Sequence, residues 1–204
     1  MHDIKNTIGI LATIFVFLGY IPYLRDIRKG KTKPHIYSWF VGGFVGFIIF
    51  ALQVSNGAGI GSLVTFAAGV MCLLVIGLGL IHKSTVEIIW VDTVFLILAF
   101  IALGFWLLAK QPVIAAILST AVEVLGFMPT VRKSWNRPFT ETLQSYYLNT
   151  FRFSFAILAI QKYTIVTTLY PATWVLFNGL FALMLVVRRK QMQKIRSNKK
   201  MRVA

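Results

Sequence analysis

The sequence predicts an all-α, polytopic membrane protein, with seven transmembrane helices arranged as three, one and three. Composition, run length and the placement of charge carry that expectation. Of 204 residues, 57% are hydrophobic and 13% charged, whereas soluble domains carry about a quarter charged residues. Mean hydropathy is +0.75, and a soluble fold of this size has nowhere to hide so much apolar surface. Backbone groups in lipid must be satisfied internally, so only helices or closed barrels span. The apolar runs here are about twice the length of a barrel strand and lack its alternation, which leaves helices.

A bilayer core about 30 Å thick takes about 20 apolar residues of helix. Seven runs meet that length: Thr7–Leu24, Ile36–Val54, Ile60–Ile81, Ile88–Leu108, Val113–Val131, Leu143–Ile160 and Thr168–Val187. The first lacks a small-residue cleavage site and is followed by further spans, so it is expected to be a mature helix and not a signal peptide. The connections are short and polar or Gly-rich. The runs divide the chain into a first triple-helix repeat (1–86), a linker helix (87–110), a second triple-helix repeat (111–187) and a basic tail (188–204).

Charge sets the expected orientation. Net charge is +15. Seventeen of the 21 Lys and Arg residues fall on one side, in the loops after the first and fifth helices, at Lys83 and in the tail. Lys5, Lys110 and Lys162 fall on the other, and Arg152 lies within a helix. The rule that cytoplasmic loops are basic puts the N-terminus outside and the C-terminus in the cytoplasm. The tail, from Arg188 to Arg202, is expected to touch anionic lipid headgroups. Nucleic acid is not an expected partner, because no basic amphipathic domain remains once the apolar runs are set aside. The single cysteine, Cys72, excludes an internal disulfide and any cysteine-based metal spacing. No phosphate loop, zinc spacing or nucleophile motif is present, so neither catalysis nor a cofactor or metal is expected.

An internal repeat decides the architecture. Gly19-Tyr20-Ile21-Pro22-Tyr23-Leu24-Arg25 ends the first helix, and Gly126-Phe127-Met128-Pro129-Thr130-Val131-Arg132 ends the fifth, at an offset of 107. Each is followed by a basic loop with a second proline, Pro34 or Pro138, and then by an aromatic helix start, Ser38-Trp39-Phe40 or Ser145-Tyr146-Tyr147. Two three-helix units have opposite orientations unless a single helix between them restores the parallel relation. Parallel repeats about an axis along the membrane normal are an established transporter plan.

With these residues the chain resembles the PQ-loop superfamily, which includes the SWEET sugar transporters, from about Thr7 to Val187. The stretch from Gly19-Tyr20-Ile21-Pro22-Tyr23 to Gly30-Lys31-Thr32-Lys33-Pro34-His35 looks like a bacterial branch of it, which implies a bacterial inner membrane. The family's Pro-Gln pairs stand here as Pro22-Tyr23 and Pro129-Thr130. SWEET-type hinge prolines are absent from the second and sixth helices. A SWEET-like binding asparagine is matched by Asn178 in the seventh helix, whereas the third has only Gly69, Val70 and Cys72 at that depth. The resemblance implies a carrier of a sugar-like or amino-acid-like solute working by alternating access.

Intramembrane polar residues mark candidate sites, since each is costly unless paired or facing a cavity. Glu123 and Arg152 both lie roughly 12–14 Å from the basic face at 1.5 Å per residue. They are expected to form a buried pair, either a permanent structural link or a gate that couples protons. Asp92, near the start of the linker helix, reads as a carboxylate on a helix dipole. Pro22 and Pro129 either end their helices or act as hinges, with Gly19 and Gly126 one turn earlier adding backbone freedom or close packing. Asn178 faces a cavity or bonds a neighbouring helix, and Trp174 lies on the same face, either packing or stacking on solute. Trp39 and Tyr146 correspond across the repeats and are either mouth-lining or interfacial aromatics.

The leading expectation is therefore a passive or proton-coupled carrier of a small polar solute. A nicotinamide-riboside-like vitamin-precursor carrier shares the three-one-three plan, but its tryptophan-rich motifs are not found. A non-transporting membrane scaffold is the expectation from a different class, and a dry, apolar interior around Asn178 would distinguish it. Two repeats in one chain can enclose a path, so a monomer suffices, and a homo-oligomer is compatible.

Overall fold

The structure, a computed structural model, describes residues 2–82, 90–108 and 110–201. Lys83 falls outside this range, as do the side chains of Asp92, of Pro129 and of the tail from residue 195. The elements in chain order are α1 (His2–Arg28), α2 (Ile36–Ser55), α3 (Leu63–Ile81), α4 (Trp90–Leu107), α5 (Pro112–Asn136), α6 (Leu143–Ala159) and α7 (Ile165–Met201). Short 3-10 turns at Gly59–Ser62 and Pro138–Thr140 precede α3 and α6, and the described residues contain no strand.

Among the described residues, five stretches are long and apolar enough to cross a membrane: Asp3–Arg28, Ile36–Ser55, Gly59–Ile81, Pro112–Asn136 and Ile165–Lys194. Their faces are apolar on both sides. In α1, Ala12, Val16, Tyr20, Tyr23 and Ile27 are buried at helical spacing, while Ile10, Leu11, Ile14, Phe17, Leu18 and Ile21 face outward. A soluble monomer rarely exposes so continuous an apolar surface, whereas lipid accepts it.

Helix α1 packs on α3 and α6, α2 on α3 and α5, α7 on α5 and α6, and α4 lies against α5 and α2. The basic loops meet at one end of the bundle. There the Lys33 amide donates to the Thr140 carbonyl (3.4 Å), the Lys133 ammonium to the Lys33 carbonyl (2.6 Å), and Arg189 Nε to the Pro138 carbonyl (2.9 Å). At the opposite end, Lys5 Nζ donates to the Ile160 carbonyl (2.7 Å) just past the C-terminus of α6, where a cation complements the helix dipole. Gly59 is required there. Its φ is +63°, a left-handed conformation that side chains other than glycine's rarely adopt.

Pro22 lies inside α1, which continues to Arg28, so this proline does not end its helix. Pro129 also falls within the bounds of α5. A third helical proline, Pro171 in α7, has no N–H to give the Thr167 carbonyl. Gln53, buried on α2, supplies the missing donor: its Nε2 lies 3.4 Å from that carbonyl.

Candidate functional site

The helices enclose a central cavity with about 80 Å³ open to a water-sized sphere. A single water needs roughly 10–15 Å³ by this measure, so the space admits several waters or one small solute. Among the described residues, six of the helices line it, α2, α5, α6 and α7 with short stripes at three- or four-residue spacing. Tyr20 comes from α1, Trp39, Gly42 and Gly46 from α2, and Ala68, Gly69 and Cys72 from α3. Glu123, Phe127 and Thr130 come from α5, Tyr146, Asn149, Arg152 and Phe153 from α6, and Tyr170, Trp174 and Asn178 from α7.

The small residues of α2 and α3 make the room. A Cβ on Gly42 would stand 3.7 Å from Glu123 Oε1, and one on Gly46 3.9 Å from the same atom. The α5 carboxylate is therefore tucked against the glycine face of α2.

Glu123 is 6% exposed. Both its oxygens are served from α7: Trp174 Nε1 donates to Oε2 in a short hydrogen bond, and the Tyr170 hydroxyl donates to Oε1 at 3.2 Å. Tyr170, Trp174 and Asn178 recur every four residues on the face of α7 turned to the cavity. Asn178 turns its amide back to the Trp174 carbonyl (2.7 Å) while lining the cavity. Trp174 sits in an aromatic cluster, stacked 6.4 Å from Phe153 and edge-on to Phe127 at 5.4 Å.

The expected Glu123–Arg152 ion pair does not form. Both residues line the cavity at the shared depth read from the sequence, but the salt bridges among the described residues are Arg25–Asp26 and Lys133–Glu141. Arg152 is 3% exposed, and its Nε and Nη1 have no hydrogen-bond partner in the protein. Its nearest company is aromatic: the guanidinium carbon lies 4.5 Å from the Phe153 ring centre and 5.2 Å from that of Tyr20. Cation–π contact returns about 0.5–2 kcal/mol, less than the several kcal/mol an unpaired buried ion costs. Asn149, one turn before Arg152, also lines the cavity with Oδ1 unpartnered.

Toward the basic end, Trp39 and Tyr146 line the cavity, with Tyr23 packed behind them. Trp39 packs 5.1 Å from Tyr23. The hydroxyls of Tyr23 (3.3 Å) and Tyr146 (2.9 Å) both donate to Glu141 Oε2, and Lys133 pairs with the other oxygen. Thr142 joins the same layer, donating to Asp26 of α1 at 3.0 Å and sharing a 2.7 Å hydrogen bond with Thr32. Tyr146 and Trp39 thus line the cavity toward its basic end.

Gly19 and Gly126 are packing points. A Cβ on Gly19 would meet Leu148 Cβ of α6 at 3.4 Å, and one on Gly126 would meet Val41 Cγ1 of α2 at 3.4 Å. Tyr20, Asn149, Tyr170, Gly42 and Gly46 belong to the cavity without having been singled out in the sequence. Tyr170 was within reach, one step of four before Trp174. The two glycines carry no chemistry, and only the neighbour they face gives them a role.

Comparison with protein-family models, with curated proteins and with solved structures finds no match for the chain.

Proposed function

We propose that the protein is a multi-pass carrier that moves a small polar solute across a membrane by alternating access, passively or coupled to protons. The observation that carries this reading is a cavity at the centre of an apolar bundle, with room for several waters, that holds a carboxylate and a guanidinium. A scaffold has no use for buried charge around an open space, and Glu123, Asn149, Arg152 and Asn178 bring charged and amide groups to this one.

A three-one-three plan of the PQ-loop kind is part of the proposal, and the packing supports it. Exchanging α1 with α5, α2 with α6 and α3 with α7 returns the same set of neighbours, with α4 set aside. Cavity-lining residues also pair at the offset of 107: Tyr20 with Phe127, Trp39 with Tyr146, Gly42 with Asn149, and Gly46 with Phe153. The Gly19–Leu148 and Gly126–Val41 contacts are related by the same offset. On this reading the basic end is cytoplasmic, and the Glu141 layer is a closed inner gate.

The test is exchange in proteoliposomes with sugars, amino acids, nucleosides and small organic acids. Saturable exchange of one class is expected. Gly42→Ala is expected to retain it, because the added carbon makes ordinary contact, while Gly42→Leu fills the cavity and removes it. Folded protein that exchanges no member of the panel would return the reading to a scaffold. Glu123→Gln is expected to abolish proton-driven uptake and to leave exchange intact, and equal loss of both would exclude coupling through this residue.

A further inference from the structure

We propose that the cavity binds its solute by a carboxylate group, which the guanidinium of Arg152 receives. The transport consequence rests on the carrier reading; the binding site stands on its own geometry.

Three observations converge. Arg152 is a buried cation with two N–H-bearing nitrogens unpartnered in the protein, and it lines the cavity. The one carboxylate in the same cavity cannot serve it, because Glu123 is not within pairing distance and both its oxygens already take donors from α7. Two aromatic rings stand beside Arg152 and attract its charge, while its Nε and Nη1 find no acceptor in the protein. A guanidinium presents N–H groups in a planar fork, and a carboxylate matches that fork with two oxygens in one plane. Asn149 lies three residues earlier on the same face of α6 and lines the cavity with its side-chain oxygen unpartnered. It is placed to hold a hydroxyl or amino substituent next to the acid group. The interior, with about 80 Å³ open to a water-sized sphere, suits a compact acid. Small 2-hydroxy and 2-amino acids meet all of these demands.

The experiment compares acids with their uncharged-end isosteres on purified, detergent-solubilised protein. Thermal stability is followed with lactate against lactamide, glycine against glycinamide, and inorganic phosphate as a separate arm. A saturable rise in Tm is expected with an acid and not with its amide. Arg152→Gln is expected to weaken acid binding roughly tenfold or more, the usual worth of hydrogen bonds to a charged group, with Arg152→Lys between. Ligand-free Arg152→Met is expected to melt at the wild-type temperature or above, because it removes an unpaired ion; a structural ion pair would give a large drop. Equal stabilisation by acid and amide, or stabilisation by phosphate alone, would overturn the proposal. So would acid binding unchanged in a folded Arg152→Gln. Acids that bind through Arg152 but are never exchanged in proteoliposomes would sustain this site and remove the carrier reading. Saturable exchange of neutral solutes with acids inert would do the reverse.

Discussion

Trp174 shows how much one side chain settles here. Its ring packs against Phe153 and Phe127, and its N–H holds Glu123. Trp174→Phe keeps most of the packing and removes the donor. It is expected to destabilise the fold by about 1–3 kcal/mol, the cost of stranding a buried acceptor, measured as a lowered midpoint of thermal unfolding in detergent. Tyr170→Phe at the other oxygen is expected to cost no more than this, since its bond is longer. At this scale the sequence was legible in depth and not in azimuth. Counting residues put Glu123 and Arg152 at one height, and both reach the cavity there. Counting could not say which way each helix is turned, nor that α7 would present two donors to α5 before Arg152 arrived.

Among the elements, α7 is the one whose form depends most on a neighbour. Pro171 leaves the Thr167 carbonyl without its helical donor, and Gln53 of α2 fills in. Gln53→Leu is expected to cost about 1–3 kcal/mol by orphaning that carbonyl. Pro171→Ala restores the helical N–H, so in its background the same Gln53→Leu change is expected to cost much less. A double-mutant cycle read by thermal unfolding checks this, and additive effects would rule out the substitution of one donor for the other. The expected segments match the helices where hydropathy and helix end together, as in α2. They fall short in α7, which the sequence closed at Val187 and which runs to Met201. Hydropathy marks where lipid ends, whereas Arg, Lys, Gln and Met at 188–201 are good helix formers and let the helix continue into water. Pro22 was open between terminus and hinge, and six further helical residues exclude the terminus.

For the whole molecule, the all-helical character with helices apolar enough to cross a membrane was the most legible feature, because long apolar runs are written directly in the sequence. The closed layer at the basic end was not legible, since Glu141 sits in a loop and meets Tyr23 and Lys133 only after folding. Opening that layer can be timed with the sole cysteine, Cys72, buried in the cavity wall. Glu141→Ala strips Tyr23, Tyr146 and Lys133 of their shared acceptor. Modification of Cys72 by a small thiol reagent is expected to accelerate several-fold, and an unchanged rate would show that the layer does not restrict access. The cavity wall has a further property. Its charged and amide groups, Glu123, Asn149, Arg152 and Asn178, all come from α5, α6 and α7, while α2 and α3 contribute mainly glycine, alanine and cysteine. In the proposed carrier, one half of the bundle is thus a reading head and the other a smooth shutter. A shutter with few polar handles can slide past a held solute without breaking hydrogen bonds, so the cargo stays registered to one half throughout a cycle. Substitutions in the shutter should then alter how fast the device turns over, and substitutions in the head should alter what it accepts.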